Sequence, residues 1–579
     1  MFRRLTRFGS FVAIGVVALL VISACGGDED EPTAAPTRPS ATAGATTAPT
    51  ATARPAATAP PAPTPTPRGP AGTLNIAIDT MGPEVFVGRI TSGQEIALLQ
   101  MIGDPLIHIN NSTRALEGRL VNSWSFQKVG TDNIWTFRIM PGAIINEGQG
   151  NWTAEDVRFN FQEYLKTDSR NSITAQLRLL IDSDMKNFEV VSPSEFKTHS
   201  SRFDSSIIRA VSIGNNFVTM QPKAYSEAQG DQGYSAKPVG TGSFVFKSGQ
   251  KGSRYSVEAV NNHWRKTPSV QTVNLQLAPE VATRLAMLKT GQADLANLEK
   301  RFKSELTGTL RPYPIVKQAL AFVALGGQFY DAPDKNCTTC PWVGYTENAI
   351  KVRQALTIAI DRKTIIDKLL FGEATIAAAP FDWMPGNQAH VDPNWPAPEY
   401  NPTRAKQLLT EAGYPNGFNI DMNIVVTSTF PEGGDTSEAV AGYWEAIGIK
   451  VKRTPLDFTP AFREKMANRT TAGLSWILAN NIKDEVLPDM RNLFSKGGAI
   501  AYLHDPKIDE FITIAAAEAD EAKRAQLSRV LGQYIIDTRI GIPLFGVNGM
   551  WGASSKIRSW DNVLGYSFLN NIETITLAS

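Results

Sequence analysis

Two cysteines three residues apart, Cys337-Thr338-Thr339-Cys340, form the densest reactive pair in the chain. A CxxC serves as a redox couple, as half of a zinc site, or as a local disulfide. Zinc needs two further ligands. The five histidines, His108, His199, His263, His390 and His504, lie near neither the pair nor one another. A thioredoxin-like role needs the cysteine at a helix N-terminus within a βαβ unit, whereas Asn336, Thr338, Thr339 and Pro341 mark a loop. No GxSxG, HExxH or SxxK set supplies a nucleophile or a metal-activated water. Carboxylate pairs such as Asp79 and Glu84 occur in any long chain. An exported hydrolase therefore has little support, and no catalytic residue, cofactor or metal is expected. Lys and Arg number 57 against 56 Asp and Glu, and this balance argues against a nucleic-acid partner, which needs a basic footprint.

The third cysteine sits in a different setting. Arg3, Arg4 and Arg7 precede an apolar run, Phe11 to Ile22, which is short for the roughly 20 residues of a bilayer span. Ile22-Ser23-Ala24-Cys25-Gly26-Gly27 follows. This resembles the bacterial lipobox, in which cleavage before the cysteine accompanies diacylglycerol attachment to its sulfur. Residues 1–24 are read as a lipoprotein signal peptide and Cys25 as the lipidation site. Residues 25–71 form a Pro/Thr/Ala-rich tether that cannot bury enough apolar surface to fold. In extended polyproline II form its ~40 residues reach on the order of 100 Å. Export also favours the local disulfide for Cys337 and Cys340.

From residue 72 onward the periodicity is mixed α/β. Leu74, Ile76 and Ile78 alternate as in a strand, as does Trp135–Ile139, which ends at the turn pair Pro141-Gly142. Thr153 with Asp156 reads as a helix-opening capping box. Val352, Ala355, Leu356, Ala359 and Ile360 form a helical stripe. Asp361 caps a second helix, and Asn401-Pro402 opens a third carrying Ala405, Leu408, Leu409 and Ala412. Strands Asn419–Val426 and Ile449–Arg453 lie between helices.

Several segments, in order, resemble family 5 extracellular solute-binding proteins, the peptide- and nickel-binding components of ABC importers. They are Ile102–Ile109 with Leu116–Trp124, Trp135–Gly142 with Trp152–Val157, Pro238–Phe244, Asn262–Trp264, Val352-Arg353-Gln354-Ala355-Leu356 with Ala359–Arg362, and Ala405–Gly417. The resemblance implies an α/β fold of the two-lobed periplasmic-binding-protein type (type II, the large cluster with an extra small domain). By analogy lobe one comprises 72–107, 239–328 and 546–579, the small domain 108–238, and lobe two 329–545. Gly240 and Gly242 are read as permitting a tight turn, and Arg353 and Asp361 as structural, pairing or capping helices.

The implied function is capture of a small solute between the lobes and its delivery to ABC permease subunits. A monomer is expected, lipid-anchored on the outer face of the cytoplasmic membrane. A sensor feeding a signalling receptor would look the same in sequence. The resemblance places ligand contacts at Met81 and Glu84, after the first strand. Trp476, Asn480 and Asn481 are expected to form an apolar and amide-lined wall, with Trp383 as another. Peptide-binding members carry an aspartate three residues after the tryptophan, where it pairs with the ligand's α-amino group. Here Ala479 stands at that place, with Asp484 as the nearest substitute.

Overall fold

The computed structural model describes residues 69–578 except 83, 91–95, 172, 213–218, 382–387, 428, 458–460, 482–486, 497, 499–500 and 566–568. Cys25, the tether up to residue 68, Trp383 and Asp484 lie outside the described residues. Among the described residues, no helix is long and apolar enough to cross a membrane.

Lobe one begins with strand β1 (Thr73–Ile78), whose alternating Leu74, Ile76 and Ile78 are buried, and helix α1 (Ile96–Ile102). The chain then leaves for the small domain. Strands β2 (Val121–Val129) and β3 (Asp132–Ile139), helix α2 (Ala154–Leu165), and strands β4 (Phe188–Ser192) and β5 (Glu195–Ser200) make a four-stranded sheet ordered β2-β3-β5-β4 with the helix packed on it. Phe137, Phe196 and Phe188 stack there at 4.8 and 5.0 Å. Thr153 and Asp156 close the capping box at the start of α2.

The chain returns past Gly240 and Gly242. Neither adopts a positive φ. What they allow is close approach: an added Cβ would collide with the backbone of residues 101–103, and Gly242 N–H donates to Ile102 O at 2.7 Å. Strands β6 (Phe244–Gln250), β7 (Arg254–Ala259) and β8 (Thr272–Leu277), helix α3 (Val281–Lys289) and strand β9 (Leu295–Leu298) complete most of lobe one. β8 and β9 both run parallel to β1, one on each side.

Strand β10 (Leu310–Leu325) then crosses into lobe two. Helices α4 (Glu347–Ile358) and α5 (Arg362–Lys368), strand β11 (Ala374–Ile376), helix α6 (Pro402–Glu411), strand β12 (Asn419–Ile424), helix α7 (Gly433–Ala446) and strands β13 (Lys450–Pro455) and β14 (Leu474–Asn481) follow. Asp361 and Asn401 cap α5 and α6 through the backbone N–H groups of Thr364 and Arg404. Arg353 is fully buried and holds carbonyls of Trp342, Gly344 and Thr538. Helices α8 (Leu487–Phe494), α9 (Pro506–Ala517) and α10 (Glu521–Thr538) lead to the return strand β15 (Ile542–Ser554). The lobe-two sheet is covered on both faces. Ala321, Val323 and Ile477 meet Leu356, Leu408 and Trp444 on one side; Phe322, Ala324 and Trp476 meet Tyr502, Ile508 and Leu531 on the other. Burial on both faces explains the unbroken apolar run Ala319–Leu325.

One eleven-stranded sheet spans both lobes in the order β6-β7-β8-β1-β9-β15-β10-β14-β12-β13, with β11 also on β15. The antiparallel pair β10–β15 is the joint. Leu310–Ile315 pair with Gly549–Ser554 beside β9, whereas Ala319–Leu325 pair with β14. Between them Val316, Lys317 and Gln318 bulge opposite Asn548, with Lys317 at φ 49. A Cβ on Gly549 would overlap the Gln318 carboxamide as it is placed here, so a larger residue at this crossing would displace that side chain. Ala319–Leu325, expected in lobe one, pair with β14 on one side, and Ala319–Val323 also pair with β15 on the other.

Candidate functional site

The sequence-predicted contacts separate on inspection. Met81 is fully buried in the lobe-one core with Leu74, Ile76 and Ile78, so it presents no surface to a ligand. Glu84, at φ 57, turns back onto its own lobe: its carboxylate accepts the Gly252 N–H at 2.9 Å and the Tyr255 hydroxyl. Trp476 is also fully buried, edge-on to Phe462 at 4.9 Å and to Tyr502 at 6.1 Å. In this structure each of the three, expected as a cleft contact, satisfies local packing or hydrogen bonding. Asn480 and Asn481 end β14 opposite Leu320 and Ala319, next to the joint, and both stay partly exposed. Ala479 lies opposite Ala321 and packs against the helix-covered core.

The core around Trp476 holds unmatched polar atoms. Among the described residues its indole N–H has no hydrogen-bond partner, and neither do the Asn423 amide nitrogen or the Tyr502 hydroxyl. Asn423 pairs with Trp476 across β12 and β14. Such groups cost about 1–3 kcal/mol each when left unsatisfied.

A cavity of about 390 Å³ opens at the carboxyl ends of strands from both lobes. This volume is in the range of small-molecule sites, and the strand ends are where open α/β sheets bind ligands. Lobe one contributes Asp79 after β1, Glu280 and Arg284 at the start of α3, and Asn297 to Arg301 at and after the end of β9. Gln318 and Gly549 contribute from the joint. Lobe two contributes Val426, Thr427, Pro431 and Glu432, between β12 and α7.

These residues hold one another in defined positions. The Arg284 guanidinium donates to the carbonyls of Ala278, Pro279 and Asn297, each at 2.7 Å, and so ties the end of β8 to the end of β9. Burial lowers its pKa from the ordinary value. Lys300 Nζ meets Glu432 Oε2 at 3.0 Å across the lobes, and Arg301 meets Glu299 at 2.9 Å. Gln318 Nε2 donates to Thr429 O at 2.9 Å. The Asn297 side-chain oxygen is buried without a partner among the described residues. Acids and bases thus nearly cancel around the cavity, and amides supply its neutral hydrogen-bonding groups. The arrangement can enclose and hydrogen-bond a solute; it holds no nucleophile–base pair. No group of three or more His, Cys, Asp or Glu suited to a metal occurs among the described residues.

Sequence reasoning missed Lys300, Gln318 and Glu432, which are far apart along the chain. Lys300 lies just past β9 and Glu432 just before α7, whereas Gln318 lies inside β10 at its bulge, where no local signal marks it. Cys337 and Cys340 are joined in a disulfide, and Cys337 N–H donates to Gly327 O at 2.9 Å, which docks the insertion at the end of β10.

Residues 115–499 match the family model described as bacterial extracellular solute-binding proteins, family 5 Middle. The chain is 23% identical over 486 residues to heme-binding protein A of Haemophilus influenzae, covering 80% of this chain and 84% of that one. It is also similar in structure to HbpA2 from Haemophilus parasuis, with TM-score 0.71, 22% identity, and 88% and 100% of the two chains covered. A third match is DppA from Helicobacter pylori in complex with the peptide STSA, with TM-score 0.68, 19% identity, and 87% and 98% coverage. The chain belongs to the family 5 extracellular solute-binding proteins of ABC importers. Its role is ligand capture outside the cytoplasm and delivery to a membrane permease.

Proposed function

We propose that this protein encloses an uncharged or blocked, peptide-like small solute at the carboxyl ends of β1, β9 and β12, and that it does so without catalysis. The carrying observation is the interlobe cavity, where the acids Asp79, Glu280, Glu299 and Glu432 are nearly balanced by Arg284, Lys300 and Arg301, and where Asn297 and Gln318 add amide groups to the lining. Relatives named for heme, dipeptides and nickel show how wide the ligand range of such a frame is. Strand β14 supplies no carboxylate at Ala479, so an ammonium held against lobe two would lack the opposite charge that burial requires. Mass spectrometry of ligand co-purified with the protein identifies the solute. Calorimetry then tests the class: N-acetylated and cyclic peptides are expected to bind more tightly than the same peptides unblocked. Micromolar binding of an unblocked peptide, lost on acetylation, would overturn this and assign the missing role to another acid, such as Asp79, Glu280 or Asp484.

We further propose that cleavage before Cys25 and lipidation of its sulfur anchor the mature chain on the outer face of the membrane, as a monomer. Cys25→Ser is expected to release the protein from the membrane fraction. Retention of a cleaved Cys25→Ser chain would refute the anchor.

A further inference from the structure

The segment after β9 coils as a 3-10 helix, Lys300–Glu305. With three residues per turn, positions i and i+3 share one face, so Lys300 and Lys303 point the same way. Each ends on a carboxylate of the other lobe. Lys300 meets Glu432, the residue that precedes α7, at 3.0 Å, with both side chains at most 10% exposed. Lys303 meets Glu373, which precedes β11. Glu373 is itself fixed to the far side of the joint: Asn548 N–H donates to its carbonyl, and the Asn548 amide donates to its carboxylate at 3.0 Å. The outer rim is closed separately, where Arg491 of lobe two pairs with Asp204 of the small domain at 2.7 Å and Ser205 N–H donates to Ala516 O at 2.8 Å.

We infer that Lys300 and Lys303 form a two-pronged clasp that draws lobe two onto lobe one through Glu432 and Glu373, and that holds the closed form before any solute arrives. The Lys300–Glu432 pair is buried only when the lobes meet. Removing one partner leaves a buried, uncompensated charge in the closed form and a solvated one in the open form, so the equilibrium moves toward open. Lys303–Glu373 sits nearer solvent and contributes less.

The test uses the full chain, stripped of co-purified ligand by unfolding and refolding, with nitroxides on Lys251→Cys in lobe one and Lys406→Cys in lobe two, both exposed. Double electron–electron resonance reads the lobe separation directly. The parent protein is expected to show one short distance. Glu432→Gln is expected to shift the open-to-closed ratio by about tenfold or more, visible as a longer, broader distribution. Glu373→Gln should shift it less. The charge swap Lys300→Glu with Glu432→Lys is expected to restore the short distance, which a merely misfolded variant would not do. An unchanged distribution in Glu432→Gln, or a broadening that the swap fails to reverse, would overturn the clasp. Because no solute is present, that failure leaves the proposed ligand class untouched.

Discussion

The two lobes meet the cleft by different means. Lobe one ends short parallel strands in charged, mutually bonded loops: Asp79, Arg284, Glu299 and Lys300 all lie past a strand or at a helix start. Lobe two brings β14 up to the same place, but as a strand buried on both faces, so Trp476 and Leu478 are core and only its terminal asparagines reach the edge. The difference teaches that a strand covered on both faces commits its side chains to the core, and that the cleft is lined instead by strand ends, the bulge at the joint and the loops beyond them.

Trp476→Ala offers the largest expected effect. Emptying that aromatic core is expected to cost about 3–5 kcal/mol, seen as a lower midpoint in denaturant melts. Glu280→Ala, on the lobe-one rim, should stay within about 0.5 kcal/mol. Equal losses would erase the contrast between the lobes.

The joint of the small domain gives the next effect, through pH. His108 is buried against Asn571; burial, reinforced by Arg119, pushes its pKa down to about 3 from the ordinary 6.5. The folded state therefore resists a proton that the unfolded state accepts between those values. Stability contributed by neutral His108 is full above pH 6.5 and is lost progressively as pH falls toward 3. His108→Gln is expected to flatten this acid slope by on the order of a few kcal/mol, measured by melts from pH 7 to 4. An unchanged slope would reassign the acid sensitivity.

Gly549→Ala addresses the crossing between the lobes. Its Cβ meets the Gln318 side chain, a collision worth about 1–3 kcal/mol. The double variant with Gln318→Ala should recover most of the loss; no recovery would mean that the backbone itself is displaced. The smallest effect is expected at the insertion of lobe two. Reducing Cys337–Cys340 opens a very short loop, worth about 2 kcal/mol or less. Intact mass should rise by about two hydrogens on reduction, and two thiols alkylated in the native protein would contradict the bond.

Local features were legible in the sequence because their causes are local. Thr153 with Asp156, Asp361, and Asn401 with Pro402 each cap the helix that their spacing implies. The ordered motifs from Ile102 to Gly417 disclosed the family and its two-lobed frame. The pairing of β10 was not legible: Ala319–Leu325 is simply an apolar run, and its partner β14 lies over a hundred positions away. Lys300 and Glu432 escaped for the same reason, since nothing in either segment reveals the other. The local partners of Met81 and Glu84 were not legible, because a position just after a strand does not say whether the chain turns outward or folds back onto Tyr255.

The return strand β15 also governs the order in which an exported chain folds. Leu295 of β9 must wait for Ala553, and Leu310 of β10 for Ser554. Until residues 542–554 have emerged, both β9 and β10 keep an open edge, the kind of edge that pairs with other chains. Contacts so remote in sequence form slowly. A chain shortened before Ile542 would lack the strand that joins its two halves into one sheet, and it would aggregate instead of leaving two independent lobes.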